Sequence, residues 1–382
     1  MDSMQICRVI DGLEEKYIDL WEKVCNMESP TIRKDLVDAV GNVFIEMAKE
    51  FGWKVDVYPH EKVGDVICIT LNPEAKEKPI VFSGHIDTVH ALGFFCTPAV
   101  RRDETRIYGP GVTDCKGGVV AAMLAMEALM RCGFEKRPVK LIIQTDEETT
   151  SKTSNLETIG FMAQAAKGAI AFLNTELSYG NSAAVALKGI YRGRFIVTGR
   201  AVHSSSCVDG ANAVCEAAHK IIKLESLKDR EGLTCNCGVI SGGTTPNSVA
   251  AKCEFTVDIR YANPAQYQTA VDFCRKIANE NTIEGCSCRF ELISERPSMP
   301  LTGENVALLD RMNAIYAEYG LPILEGRTFL IGSDAAFMAQ TGIPCVDCIG
   351  VEGGDIHSIR EYAELKSLAQ CAKRLALVAM HI

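Results

Sequence analysis

The chain has 382 residues, more than the roughly 250 to 300 that one hydrophobic core organises, so two domains are expected. With 47% apolar and 23% charged residues it is globular, and a net charge of -9 without a basic patch argues against nucleic acid as a partner. Met1 to Cys7 lead into a charged amphipathic stretch and not into a cationic head with an apolar signal core. No apolar run approaches the ~20 residues of a bilayer span, so a cytoplasmic protein without membrane attachment is expected. The 17 cysteines are odd in number in a long chain and read as free thiols. Structural zinc sites space their cysteines by two to four residues, so Cys235-x-Cys237 and Cys286-x-Cys288 read as neighbours on one strand face.

Up to Leu173, helix and strand alternate. Apolar periodicity predicts helices over Val9 to Lys23, Arg33 to Phe51, Gly117 to Arg131 and Gly160 to Ala166. Strands are predicted over Lys54 to Tyr58, Val66 to Leu71, Pro79 to Phe82, Val139 to Ile143 and Gly168 to Leu173. This is the pattern of an α/β sheet covered by helices, with functional groups at the carboxyl ends of its strands. The rhythm then changes to strand (Ala184 to Gly199), helix (Ala211 to Leu227), two strands (Thr234 to Ser241, Ala250 to Tyr261), helix (Pro264 to Asn281) and strand (Ser287 to Leu292). That order, βαββαβ, is the split βαβ sandwich. After Pro297 come a helix (Val306 to Tyr319), a glycine-rich turn and a final helix (Glu364 to Ala379). The expected organisation is a first domain segment at 1–181, an inserted domain at 182–297 and a return to the first domain at 298–382, with hinges near Tyr179 to Ser182 and Glu295 to Ser298.

The chemistry is concentrated after the strands. Ser83-Gly84-His85-Ile86-Asp87 places an imidazole and a carboxylate at the end of the third strand. Further oxygen and nitrogen donors are Asp114 in Gly111-Val112-Thr113-Asp114-Cys115-Lys116-Gly117-Gly118, Glu147 and Glu148 after the fourth strand, Glu176 in Asn174-Thr175-Glu176, and His357 in Asp355-Ile356-His357-Ser358. Any one of these is more often a strand-end cap than a ligand. Two histidines with several carboxylates suit one or two divalent cations such as zinc, with cobalt or manganese able to use the same donors.

The order of these motifs, His-x-Asp, then Gly-Pro-Gly-x-x-Asp-x-Lys-Gly-Gly, then Asp-Glu-Glu, then a late His-Ser-x-x-Glu, resembles the co-catalytic zinc family that includes glutamate carboxypeptidase, succinyl-diaminopimelate desuccinylase, acetylornithine deacetylase and aminoacylase. The matches run from His85 to Glu361. The resemblance implies a zinc-exopeptidase-like catalytic domain, a mixed sheet between helices, with an inserted ferredoxin-like α+β lid through which the chain forms a homodimer. It implies that Asp114 bridges two cations, that His85 and Glu176 complete one and Glu148 and His357 the other, and that Asp87 receives the second ring N–H of His85. Cations so bridged stand about 3.5 to 4 Å apart and share a water of lowered pKa, and Glu147 would act as the general base towards it. A cis peptide linking Asp114 to Cys115 is also implied.

Within the lid, the resemblance makes His203 the donor that reaches across the dimer to the oxyanion, Asn247 a substrate-holding amide and Arg260 the clamp for a substrate carboxylate. Gly332 and Ser333 fall in its glycine-rich turn beside the substrate. Taken alone, His203 and Asn247 are turn residues, Arg260 a strand end, and Ser333 a helix cap. Family members often carry Arg where Pro110 stands, Met where Cys115 stands and proline where Cys207 stands. The expected activity is hydrolysis of an amide bond in a small peptide or N-acyl amino acid. Relatives tend to have Glu at the position of Glu176 in carboxypeptidases and deacylases and Asp in aminopeptidases, so the resemblance implies the former; the alternatives are a di- or tripeptidase, or a catalytically silent binding homologue that would have no use for Glu147.

Overall fold

A computed structural model describes residues 3–229 and 232–382. The chain divides into two compact units, Met1–Val185 with Leu301–Thr328 and Ser333–Ile382, and Ala186–Pro300 with Phe329–Gly332. The boundaries expected at 182 and 297 fall a few residues before these.

In chain order, the first unit begins with α1 (Ser3–Asn26), α2 (Lys34–Glu50), β1 (Lys54–Tyr58), β2 (Val66–Leu71), β3 (Ile80–His85), β4 (Arg101–Arg102), β5 (Arg106–Tyr108), α3 (Lys116–Arg131), β6 (Val139–Gln144), α4 (Glu157–Ala166) and β7 (Ala171–Asn174), and β8 (Ser182–Leu187) leads out of it. The second unit carries β9 (Gly189–Thr198), α5 (Ala213–Glu225), β10 (Thr234–Gly242), β11 (Lys252–Tyr261), α6 (Pro264–Asn279) and β12 (Ser287–Arg296). The chain returns through α7 (Gly303–Glu318), β13 (Glu325–Phe329), α8 (Ala335–Ala339), β14 (Cys345–Val346), β15 (Gly353–Gly354), β16 (Tyr362–Glu364) and α9 (Lys366–His381).

The main sheet of the first unit has the order β1-β2-β6-β3-β7-β14. β3 runs parallel to both β6 and β7, while β2 is antiparallel to β6, so the sheet is mixed. Parallel pairing puts the carboxyl ends of β3, β6 and β7 on one edge, with His85 opposite Gln144 and Ser83 opposite Asn174. β2, β3 and β7 are buried throughout and read as unbroken apolar runs for that reason. A second, four-stranded sheet, β15-β16-β5-β4, pairs Tyr362 with Tyr108 and brings the segment after His357 against the turn before Asp114.

α3 is rich in alanine and apolar residues, and its buried side chains cover almost its whole length. It packs against β3, β6, α1 and α9 in the core. Between its terminal residues Lys116 and Arg131 it carries one charge: the fully buried carboxylate of Glu127 accepts hydrogen bonds from the Tyr17 hydroxyl (2.6 Å), Lys16 Nζ (2.8 Å) and Arg131 Nε (2.8 Å).

The second unit is an antiparallel sheet of order β10-β11-β9-β12 with α5 and α6 packed on it. Its core holds the stacked rings of Phe195 and Phe255, 4.8 Å apart, with Cys235, Cys253 and Cys274 as small apolar fillers. All seventeen cysteines are free. Among the described residues neither Cys-x-Cys pair belongs to a cluster able to hold a metal, and no helix is long and apolar enough to cross a membrane.

The structure departs from the sequence reading in places with a common cause. The strand expected from Ala184 to Gly199 breaks at Lys188 into β8 and β9, and β4, β5 and β13 to β16 have no counterpart in the sequence reading. Most of these have two or three residues, too few to display a period, and pairing with distant partners decides them.

Burial raises the Glu127 carboxyl, but the hydrogen bonds from Lys16, Tyr17 and Arg131 outweigh it, and its pKa lies below the usual value. A depressed folded-state pKa gives stability that is present above the unfolded value and lost as pH falls through the folded one. The thermal midpoint of the wild type should therefore fall further than that of Glu127→Gln between about pH 5 and pH 3. Parallel curves for the two proteins would show that the carboxylate charge contributes nothing.

Candidate metal centre

The carboxyl edge of the main sheet collects the donors. His85, the last residue of β3, points Nε2 to within 3.0 Å of Asp114 Oδ1 and 3.7 Å of Glu176 Oε1. The other oxygen of Asp114, Oδ2, lies 3.1 Å from Nε2 of His357, which is 3.2 Å from Glu148 Oε2. Asp114 thus presents one carboxylate oxygen to each imidazole. Ligand atoms of His85, Asp114 and Glu148 fall within 4.8 Å of one another, as do those of His85, Cys115 and Glu176. His357 occupies the left-handed backbone region, with φ of 60°, on an exposed turn.

Two carboxylates outside this donor set hold its frame. Asp87, fully buried, accepts hydrogen bonds from the Thr31 hydroxyl (2.7 Å) and from the peptide N–H groups of Glu147 (3.3 Å) and Glu148 (3.2 Å). The acceptor nearest to Nδ1 of His85 is the backbone oxygen of Asp87 at 3.1 Å, with its carboxylate Oδ1 at 3.4 Å. The expected contact is therefore shared between main chain and side chain, because the carboxylate is occupied with the Glu147–Glu148 loop. Glu361 accepts from the N–H groups of Gly111 (3.2 Å), Thr113 (2.9 Å) and Asp114 (3.1 Å). Its place in His-Ser-x-x-Glu was visible in the sequence, but its role was not. The peptide joining Asp114 to Cys115 is cis.

Cys115 is fully buried and its sulfur accepts the His85 N–H at 3.0 Å. Burial pushes its thiol up from the ordinary range, which suits packing and not nucleophilic attack.

Without a cation, this cluster holds protons. Burial drives Glu148 up to about 7 and Glu176 well above the usual carboxylate range. Hydrogen bonds to Asp114 and Glu148 lift His357 to about 10. Burial works against protonated His85, yet the neighbouring Glu176 and its bonds to Asp114 and Asp87 raise it overall. Carboxylates packed this closely need positive charge among them, and two imidazoles with three carboxylates are a donor set that a divalent cation of the zinc type fits. Glu147 is buried beside them, and its charge is felt by Glu148, Glu176 and the fully buried Asp347, whose carboxyl is raised by burial to about 6. Nothing in the sequence singled out Asp347.

The other candidates lie elsewhere. In the second unit, Nδ1 of His203 accepts the Ser205 N–H at 3.3 Å and caps a short turn. Asn247 is its neighbour, its backbone oxygen accepting the Ser204 N–H at 2.9 Å. Arg260 Nε donates to Asp258 Oδ1 at 2.7 Å, so its guanidinium is already partnered within its own strand. Gly332 packs beside Arg296. Ser333 belongs to the first unit, where it is fully buried and its hydroxyl accepts from Asn174 Nδ2 at 2.8 Å and from the Ala335 N–H at 3.3 Å. The helix it opens, α8, has five residues.

Imidazoles and carboxylates gathered at the carboxyl edge of a helix-covered mixed sheet are the equipment of a metal-dependent hydrolase. Residues 81–381 match the model of Peptidase family M20/M25/M40, and the chain belongs to that family. It is 26% identical over 369 residues to carboxypeptidase G2 of Pseudomonas sp. (strain RS-16), covering 94% of this chain and 86% of that protein. It is 25% identical over 322 residues to a succinyl-diaminopimelate desuccinylase of Acidovorax ebreus (strain TPSY), covering 76% and 77%. Among solved structures, aminopeptidase PepT from Bacillus cereus ATCC 10987 shares the fold, with a TM-score of 0.80 and 19% identity over 96% of this chain and 98% of that one.

The first turn of α3 leaves no room for a side chain at Gly118, where a Cβ would overlap the carbonyl oxygen of Thr175, the residue before Glu176. Gly118→Ala is expected to lower the thermal midpoint by several degrees, since overpacking costs about 1–3 kcal/mol, and to lower bound metal per chain. Gly160→Ala, in α4 with nothing within 4 Å, is the control expected to hold or raise the midpoint. A Gly118→Ala protein with native midpoint and metal content would refute the close-packing argument.

Proposed function

We propose that the chain hydrolyses the amide bond of a small peptide or N-acyl amino acid, as a carboxypeptidase or deacylase. In this reading two divalent cations, zinc in the first instance, are held by His85, Asp114 and Glu176 and by Asp114, Glu148 and His357. The observation that carries it is the division of Asp114, with one oxygen towards each imidazole. Bound cations of this kind lower the pKa of water and polarise the scissile carbonyl.

The chain's own residues do the rest. Glu147, next to a ligand and held in place through its N–H to Asp87, takes the proton of the attacking water and hands it to the leaving amine. Asp87 and Glu361 keep the donor loops at fixed positions by binding their peptide N–H groups. The second unit serves as lid and dimer contact, and His203 of the partner subunit donates to the oxyanion. Asn247 holds the substrate, and Arg260 clamps its carboxylate after exchanging Asp258 for it. The names of the sequence relatives, a carboxypeptidase and a desuccinylase, support an amide with a free carboxylate nearby. A screen of metal-reconstituted protein against N-acetyl, N-succinyl and dipeptide libraries, read by released amino acid, tests the reading. Turnover of free di- or tripeptides alone would move the assignment to a peptidase, and no turnover at all would end it.

Glu147→Gln should retain its metal and lose at least about a hundredfold in kcat, because proton transfer is removed and the donors remain. Glu148→Gln should instead lower metal occupancy. Equal metal content in the two variants, or near-native turnover by Glu147→Gln, would reassign the pair.

If His203 serves the other subunit's site, His203→Ala and Glu147→Gln are each inactive, yet a mixture allowed to exchange subunits regains partial activity, since one site of the mixed dimer keeps both residues. Subunit exchange verified by mass spectrometry without recovered activity would place His203 outside the neighbouring site.

A further inference from the structure

The loop that follows Thr88 has no role in the chemistry above. From Thr88 to Val100 it contains no Asp, Glu, Lys or Arg. Three of its large apolar side chains are about half exposed: Val89 (47%), Leu92 (53%) and Phe94 (49%). A single exposed apolar residue needs no explanation, but three within six residues on one loop do. Nor is the loop loosely attached. The Thr88 N–H donates to Ser29 O at 2.8 Å, the Val89 N–H to Glu148 Oε1 at 3.1 Å and the Gly93 N–H to Glu28 Oε1 at 2.7 Å. Inside the loop, the His90 ring stacks on Phe94 at 5.1 Å and meets Phe95 edge-on at 4.9 Å. Its Nε2 lies 3.8 Å from Glu361, the carboxylate that holds the Asp114 turn.

These contacts fix an uncharged apolar surface beside one member of the donor cluster, Glu148, and beside Glu361, which holds the Asp114 turn. We infer that Val89, Leu92 and Phe94 form a subsite for a bulky apolar side chain, aromatic or branched, on a residue flanking the scissile amide. The inference rests on the hydrolytic reading above and adds to it the substrate's side-chain class. The surface is built in advance of binding, so an apolar group is drawn to it by removal of its own and the loop's area from water, while a small side chain leaves the loop wet. The loop offers a charged side chain no partner of its own.

The test uses the full-length, metal-loaded protein and two substrate series, one varying the acyl-side residue through Ala, Leu and Phe and the other varying the amine-side residue in the same way. In one series kcat/KM should rise at least tenfold from Ala to Phe. The double variant Leu92→Ser with Phe94→Ala should cut that ratio at least tenfold, while Phe94→Leu alone keeps most of it. A ratio near one in both series, or a ratio that the variants leave unchanged, overturns the subsite. So does a loss of activity that follows a change in oligomeric mass, which would make the patch a subunit contact. If the wild type turns over none of these compounds, the proposed function fails and calorimetry still decides the subsite. N-acetyl-L-phenylalanine should then bind the wild type at least tenfold more tightly than N-acetyl-L-alanine, a difference lost in the double variant, and equal affinities would refute it.

Discussion

Several carboxylates buried within a few ångströms of one another repel, and much of the first unit can be understood as the means of holding them there. Asp114, Glu147, Glu148 and Glu176 gather near two imidazoles, and burial raises Glu148 and Glu176 out of the ordinary acid range. Such a cluster keeps its shape only if the main chain around it is fixed by something other than its own attraction. Asp87 and Glu361 supply this. Each uses its charge on peptide N–H groups of the loops that carry the donors, so the loops are pinned from behind whether or not the donors are neutralised. Two acids that touch no substrate in the proposed reaction thereby set the positions of those that do.

The helix behind the cluster has a similar logic. α3 starts two residues after Asp114, and its fully buried Lys116 donates to the carbonyl oxygens of Val24 (3.0 Å) and Met27 (2.8 Å) at the end of α1. Burial lowers its pKa, which the neighbouring acids oppose. A lysine in this position satisfies carbonyls that the end of a helix leaves open and ties α1 to the Asp114 turn. The glycines after it allow the helix to touch the strand ends directly: a Cβ at Gly117 would meet the carbonyl of Val112, and one at Gly118 that of Thr175.

Much of this was legible before any coordinates. The long helices and the six-residue strands carry clear periods or unbroken apolar runs, and β1 and β2 begin and end where the pattern places them. His85, Asp114, Glu148, Glu176 and His357 stand out because their residue types recur at strand ends and turns in a definite order. What the sequence hid depends on long-range pairing. Glu361 gave no sign of reaching back to Gly111 and Asp114, nothing marked Asp347, and Ser333 read as a helix cap without a sign of its burial against Asn174. Two-residue strands such as β4 and β15 exist only through their partners.

The small sheet that joins β5 to β16 has a consequence for the order of events in the life of the chain. Asp114 and the segment holding it in place are separated by 247 positions at the Glu361 contact, and His357 lies in the same late stretch. During synthesis His85, Asp114, Glu148 and Glu176 leave the ribosome long before the second imidazole exists. Until then the early acids form an incomplete, highly charged surface whose loops lack Glu361 as their anchor, and closing so long a loop is among the slower steps of folding. In the proposed reading, cation capture by the whole donor set therefore waits until the stretch from His357 to Glu361 has been made and has folded back onto the Asp114 turn.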